Sequence, residues 1–386
     1  MDGQILSFLC PTKIFMGINS HKKIADILKD LNTDKVFIVS DNYLKESAFF
    51  SSIINILDQN DIIFDLFTEI ESQPSSETVE SAFHFLKKSN ASTILAIGGG
   101  SIIDVGKAIG ILMTNGGKIK DYEGIEKFST PPLPLIAFPT TAGTGSEVSG
   151  SCVITDTDTG LKMSIRHPSL NPAKVAVIDP AGLATLPAPI ASHAAIDAFV
   201  HAFESYISRN SSPITDAINL YAIELMTQNI RQYVANRGNL AAGLNMACGS
   251  TLAGMTFGLT GLGNVHCMAR FVGAFFHVSH GLSNAVCLPH VAKFNMIATP
   301  SKYARLAIAM GENVYGLTEI EAARKTTTAI DKLCEDLGIP NKLRDIGAEQ
   351  VKLPELAKLA ANAGYNKWNP RETTYEDFLS LFESAY

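Results

Sequence analysis

The sequence predicts an α/β domain followed by an all-α domain, and three observations carry that reading. The first part alternates short apolar, β-branched runs with amphipathic segments. Beyond the proline-marked stretch Asp179 to Pro189, strand-like runs become scarce and helical periodicity takes over. A chain of 386 residues with 46% hydrophobic content is long enough for two cores.

In chain order, the strand candidates are Val36 to Val39, Ile62 to Phe67, Thr93 to Ile97, Leu135 to Phe138 and Val175 to Ile178. Helix-like segments such as Ile24 to Leu31 and Thr78 to Lys88 lie between the early runs, with apolar positions three and four apart. Strands joined by helices imply a parallel sheet with crossovers. Ile190 to Tyr206 and Asp216 to Tyr233 then read as helices, which puts a domain boundary near Leu183 and gives units 1–183 and 184–386. Gly238 to Val265 carries no Asp, Glu, Lys or Arg and is long enough to span a bilayer, but its many Gly, Ser, Thr and Asn residues argue for close helix packing in a soluble core. A cleft between two such domains is where a cofactor and a substrate are expected to meet.

Composition narrows the functional classes. With 31 basic against 38 acidic residues the net charge is -7, and no basic run tracks a phosphate backbone, so nucleic acid is not an expected partner. The six cysteines are scattered without a C-x-x-C pair, and the opening MDGQILSFLC lacks the basic and apolar regions of a secretion signal. Reduced thiols in the cytoplasm, away from any membrane, are the expectation.

Thr93 to Ile97 followed by Gly98-Gly99-Gly100-Ser101 reads as a strand entering a glycine turn and then a helix through Val105 and Ile109. Glycines let the backbone approach a pyrophosphate, and the helix start offers free N–H groups and a positive dipole end. Ser101 and Asp104 have the spacing of a capping pair. The turn is not G-x-G-x-x-G, and a glycine-rich turn on its own is more often only a tight turn. The strand Val36 to Val39 ends at Ser40-Asp41, where a carboxylate could accept from ribose hydroxyls and repel a 2′-phosphate, favouring NAD over NADP; equally, Asp41 could cap the next helix. A second hydroxyl- and glycine-rich turn, Pro139 to Glu147, offers Thr140, Thr141 and Thr144 to a pyrophosphate or a nicotinamide amide, although such loops are commonly solvated turns.

Asp197 and His201 are four apart, which on a helix puts carboxylate and imidazole on one face. Their neighbours Ile196, Phe199 and Val200 are apolar, so the segment looks inward, where a charge needs a partner. His266 and His280 can complete a set of one oxygen and three nitrogens suited to a divalent first-row metal. Spacing makes that set possible without selecting it.

Taken together, GGGSIIDVGKA (98–108), PTTAGTGSE (139–147), DAFVH (197–201), NVHCMAR (264–270), HGLSNAVCLPH (280–290) and NPR (369–371) resemble, in order and over nearly the whole chain, the iron-containing (group III) alcohol dehydrogenases. The resemblance implies an N-terminal Rossmann-like dinucleotide domain and a helical C-terminal domain holding the metal. It places the metal ligands on Asp197, His201, His266 and His280, and the cofactor contacts on Asp41, Gly98, Gly99, Gly100, Ser101, Thr140, Thr141, Thr144 and Lys162. It further implies NAD, with NADP second, Fe²⁺ with Zn²⁺ able to replace it, a small alcohol or aldehyde substrate, and a homodimer or larger homo-oligomer. Hydride would pass between the substrate carbon and the nicotinamide.

The chain departs from the family pattern in three places. Relatives often carry a proton-relaying histidine four residues after the third ligand; here that position is Arg270. Near the nicotinamide, where Asn is common, stand Ser151 and His277, and the Asn-Pro usual by the adenosine reads Gln73-Pro74. A guanidinium stays protonated and relays no proton, so His277 becomes the candidate for proton transfer. Arg270 is either an anchor for an acidic substrate or a structural cation. The competing readings are a dehydroquinate synthase-like or glycerol-1-phosphate dehydrogenase-like enzyme, whose glutamate-and-zinc pattern the DAFVH and HGLSN contexts fit less well, and a catalytically silent assembly protein, against which the intact ligand set argues.

Overall fold

In the computed structural model, which describes residues 7–160 and 162–386, the apolar runs of the first half become strands. The reading of the N-terminal segment as free of a secretion signal falls, for residues 1–6, outside the described residues. The strands are β1 (Lys13–Met16), β2 (Lys35–Val39), β3 (Ile63–Phe67), β4 (Thr93–Gly98), β5 (Gly124–Ile125), β6 (Leu135–Pro139), β7 (Ser151–Thr155), β8 (Lys162–Arg166) and β9 (Val175–Ile178). Six of them form one sheet in the order β1-β9-β6-β4-β2-β3, with every neighbouring pair parallel.

Alternate residues of the central strands feed two separate cores. Phe37, Val39, Ile94, Ala96 and Ala137 point to one face; Val36, Ile38, Leu95, Ile97, Ile136 and Phe138 point to the other. Helices α1 (Ile24–Asp30) and α2 (Ala48–Gln59) supply the second core, while α3 (Ser76–Ser89) and α4 (Gly100–Asn115) supply the first. A strand buried on both faces has no polar side to show, which is why these runs read as continuously apolar. The smaller sheet, β5-β8-β7, pairs β7 and β8 antiparallel, and neither strand stood out in the sequence.

From α5 (Pro180–Leu183) onward the chain is helical: α6 (Ala188–Ile207), α7 (Pro213–Ala235), α8 (Leu240–Thr260), α9 (Asn264–Phe276), α10 (His280–Asn295), α11 (Pro300–Ala309), α12 (Glu319–Asp336), α13 (Leu353–Ala361) and α14 (Tyr375–Ala385). Contacts group the chain into two units, one of Leu9–Leu186 with Arg237–Ala247, the other of Pro187–Asn236 with Cys248–Tyr386. An α/β part followed by a helical part is the architecture expected from the sequence. The uncharged stretch packs as foreseen: a Cβ on Gly249 would lie 2.5 Å from Met226 and 3.1 Å from the Ala222 carbonyl, so a glycine there lets α8 approach α7. Thr256 Oγ1 donates to Asn219 Oδ1 of α7 at 2.7 Å, and Thr260 bonds Ser205 of α6 at 2.8 Å, satisfying buried polar groups between α8 and its two neighbours. Among the described residues no helix is long and apolar enough to cross a membrane.

Candidate functional site

The α/β unit gathers its chemistry at the carboxyl ends of its strands. From β2 the chain moves outward to β3, then crosses back so that β4, β6 and β9 follow on the other side. The direction of winding therefore reverses between β2 and β4, the kind of switch point where open α/β sheets leave a crevice for ligands. Asp41 follows β2, and the Gly98–Ser101 turn follows β4. Ser40 Oγ donates to the Ile97 carbonyl at 2.9 Å and ties the two strand ends together.

The second hydroxyl-rich turn closes on the first. Thr140 N–H donates to the Gly98 carbonyl at 3.0 Å. A Cβ on Gly99 would lie 3.2 Å from the Thr141 methyl, and one on Gly100 only 2.7 Å from Thr144. Bare glycines thus let Thr141 and Thr144 come against the start of α4, whose first-turn N–H groups lack helical acceptors. Helix α4 begins at Gly100 with Gly99 as its N-cap, which corrects the reading of Ser101 and Asp104 as a capping pair. Ser101 Oγ donates instead to the Ser72 carbonyl at 2.6 Å, and Asp104 accepts from Ser146 Oγ and from Val153 N–H. The preceding Gly98 must remain bare for the strand to turn into the helix, because its Cβ would meet Ile102; the cap falls at Gly99, two residues before Ser101, at that tight exit.

Asp41 spends one carboxylate oxygen, Oδ1, on the Leu44 N–H at 2.7 Å, which closes the turn after β2; the N-cap of the next helix, α2, is Ser47 and not Asp41. Lys162 opens β8 opposite Thr155, whose N–H bonds the Pro74 carbonyl at 2.8 Å, so Thr155 links the start of β8 to the Gln73-Pro74 turn. Sequence reasoning missed the buried Lys107, which donates to the Ser149 and Ser151 carbonyls at 2.8 and 2.7 Å and fixes the base of the second turn. Its signal was available: a lysine three residues beyond an aspartate in an otherwise apolar helix needs buried acceptors.

In the helical unit, α6 is buried almost without interruption from Ala195 to Ile207, so Asp197 and His201 project into protein. His266 is the third residue of α9 and His280 the first of α10. One ligand atom from each of Asp197, His201, His266 and His280 lies within 4.8 Å of all the others; three of the residues are buried and His280 is exposed. The His201 ring stacks between Phe257 at 4.6 Å and His266 at 4.9 Å. Gly281 lets the start of α10 come this close to α6, since its Cβ would sit 2.4 Å from the His193 carbonyl oxygen.

Two residues that sequence reasoning did not single out complete the cluster. Glu204, on α6, holds His266 Nδ1 at 2.6 Å. Asn284 Nδ2 donates to Asp197 Oδ1 at 2.6 Å and lies 3.3 and 3.1 Å from Nε2 of His266 and His280. Burial alone would push Asp197 up; the imidazoles of His201, His280 and His266 and the Asn284 amide outweigh it and hold the carboxyl below its ordinary value. One hard oxygen and three imidazole nitrogens are the donors that a divalent first-row ion takes, and Asn284 Oδ1, buried without a hydrogen-bond partner beside them, marks a polar demand the side chains leave unmet. The residues fit such an ion.

The two remaining candidates lie nearby in sequence. His277 is the exposed C-cap of α9, in a left-handed conformation (φ 54°), three residues before His280. Arg270 is half-buried within α9, its guanidinium 6.0 Å from the Phe271 ring centre.

Comparison with known proteins gives this arrangement its context. The model of the iron-containing alcohol dehydrogenases matches residues 11–180, and that of the C-terminal part of the Fe-containing alcohol dehydrogenase family matches residues 191–386. The chain belongs to the iron-containing alcohol dehydrogenase family. Among relatives, the 1,3-propanediol dehydrogenase of Klebsiella pneumoniae is 37% identical over 100% of both chains. The NAD-dependent methanol dehydrogenase of Bacillus methanolicus is 32% identical over 98% of this chain and 99% of its own. A crystal structure of 1,3-propanediol oxidoreductase superposes with a TM-score of 0.96 at 37% identity, covering 99% of this chain and 100% of that one. As a member of the family the chain is an oxidoreductase, a metal-dependent alcohol dehydrogenase or aldehyde reductase using a nicotinamide cofactor.

Proposed function

We propose that this iron-containing alcohol dehydrogenase interconverts small alcohols and aldehydes with NAD(H), on a divalent ion held by Asp197, His201, His266 and His280. The observation that carries the ligand assignment is the convergence of one carboxylate and three imidazoles within 4.8 Å in a largely buried cluster. Fe²⁺ is the proposed resident, and Zn²⁺ can replace it because the order of affinities does not favour Fe²⁺. The pyrophosphate is assigned to the cradle of Gly98, Gly99, Gly100 and Ser101 with Thr140, Thr141 and Thr144, at the switch point of the sheet. Lys162 is assigned to the adenosine side through its pairing with Thr155, which bonds the Pro74 carbonyl.

When bound, the metal supplies Lewis acidity to a substrate oxygen and the nicotinamide supplies the hydride donor or acceptor. The chain's own residues do the rest. Asn284 and Glu204 fix the orientation of Asp197 and His266 through hydrogen bonds of 2.6 Å. The rings of Phe257 and His266, 4.6 and 4.9 Å from that of His201, hold His201 in place. His277 is proposed to exchange the alcohol proton with solvent, since its imidazole is exposed three residues before His280 and the Arg270 guanidinium stays protonated and relays no proton.

Asp41 favours NAD by repelling a 2′-phosphate, its second carboxylate oxygen serving the ribose while the first caps the turn. Steady-state kinetics with both cofactors test this: NAD(H) is expected to win, and Asp41→Gly to relax the preference. Higher efficiency with NADPH in the unmodified protein would remove Asp41 from the ribose. A panel of neutral, ω-carboxylated and phosphorylated aldehydes on Fe²⁺-loaded protein decides the substrate class. If Arg270 anchors an anion, acidic aldehydes beat neutral ones of equal length and Arg270→Ala erases the advantage. Equal efficiencies make Arg270 a structural cation.

A further inference from the structure

Glu204 is a carboxylate with 2% of its surface exposed, on a helix that buries nearly every neighbour. A buried charge there needs a reason as well as partners. Oε1 accepts the Val265 N–H at 2.6 Å, in the first turn of α9, and Oε2 lies 2.6 Å from His266 Nδ1. Gly263, the N-cap of α9, leaves room for this carboxylate, because a Cβ there would stand 3.0 Å from Oε1 and 2.9 Å from Asn369 Oδ1. The negative charge thus sits at the positive end of a helix and against the back of one imidazole of the cluster.

An ionised carboxylate only accepts hydrogen bonds, so the short contact requires the proton on Nδ1. The neutral ring then carries its lone pair on Nε2, the atom facing Asn284 Nδ2 at 3.3 Å inside the cluster. We infer that Glu204 is a positioning residue that selects the Nδ1–H tautomer of His266 and so prepares Nε2 for the metal. Its charge, added to that of Asp197, also makes the protein side of the centre match a divalent ion. The inference rests on the metal reading given above.

Glutamine in place of Glu204 has nearly the same shape and reverses the chemistry. It offers one acceptor and one donor group where two acceptors are needed. The Val265 N–H, fixed by the helix backbone, claims the amide oxygen. The amide NH₂ then faces Nδ1, which forces the proton onto Nε2 and removes the lone pair the ion requires.

The test uses metal-free and Fe²⁺- or Zn²⁺-loaded full chain. Metal dissociation constants for Glu204→Gln, measured by chelator competition, are expected to rise by about 10–100-fold, the usual effect of losing such a supporting hydrogen bond. In the metal-free unmodified protein at alkaline pH, ¹⁵N correlation spectra are expected to show His266 protonated on Nδ1, and the variant protonated on Nε2. Unchanged metal affinity in a folded Glu204→Gln protein overturns the inference. So does an Nε2–H tautomer of His266 in the unmodified protein, a result that needs no variant to fold. His280→Ala separates the two levels of the argument. If it binds metal as tightly as the unmodified chain, the four-ligand assignment fails; if it loses metal while Glu204→Gln does not, only the role of Glu204 fails.

Discussion

His280 differs from its three fellow donors in standing at the surface, so removing its ring leaves the helix packing around it intact. His280→Ala is expected to fold normally, to lose turnover, and to weaken metal binding by more than the roughly 10–100-fold typical of a lost supporting contact. Metal analysis beside a melting curve checks both parts. Its neighbour Gly281 makes the opposite case. A Cβ there would sit 2.4 Å from the His193 carbonyl, a backbone atom that cannot swing aside, so Gly281→Ala must push the start of α10 away from α6. We expect a loss of about 1–3 kcal/mol in stability, of the size that overpacking causes, together with weaker metal binding, read by denaturant titration and chelator competition. Asp197 and His201 were legible in the sequence because their partnership is local, four residues along one helix. Glu204 was not, since its partners Val265 and His266 are 61 and 62 residues away and no spacing announces them. Asn284 was hidden for a different reason: an Asn one turn after His280 reads as helix surface until Asp197, 87 residues earlier, is seen against it.

At the level of elements, the contact between the two glycine- and hydroxyl-rich turns carries the cofactor proposal. A Cβ on Gly100 would fall 2.7 Å from Thr144, so Gly100→Ala has to open the turns that Gly99 and Thr141 also bring together. The expected result is a raised KM for NAD, by roughly tenfold if about 1.4 kcal/mol of cofactor binding is lost, with metal content unchanged. A variant with altered metal content and normal KM would argue against the cradle. The strands behind these turns were readable because burial on both faces leaves an unbroken apolar run, as in β4 and β6. The smaller sheet was not. In β7 and β8 buried and open positions alternate over five residues each, with Ser, Thr and Lys among them, so neither offers a run to notice. The Asp156-to-Gly160 turn between them was the available signal. Strand β1 is four residues long and takes its place at the sheet edge only through β9, more than 150 residues later.

For the molecule as a whole, the two ends of the α/β unit are tied by a pair that has no part in the chemistry proposed above. His21 follows β1 and Asp179 follows β9, and His21 Nδ1 lies 2.6 Å from Asp179 Oδ2 with both side chains buried. The same carboxylate accepts from the His21 N–H at 3.1 Å and the Ala181 N–H at 3.0 Å, while His21 Nε2 meets Ser52 Oγ at 3.0 Å. Burial would raise Asp179, but the hydrogen bonds from the His21 ring and from the Ala181 and His21 amides more than offset it, leaving the carboxyl below its ordinary value of 3.8. A carboxyl depressed in the folded state contributes stability that is complete above its unfolded pKa of about 3.9 and fades as pH falls through the lower folded value. Asp179→Asn should therefore cost about 1–3 kcal/mol at neutral pH, as a hydrogen bond to a charged group does. Below pH ~4 the penalty should shrink, because the unmodified protein is then losing the same charge. Urea unfolding of both proteins from neutral to acid pH, followed on the transition of the α/β unit, tests this. A gap that stays constant down to acid pH would mean that the Asp179 charge contributes nothing and that only the shape of the side chain matters.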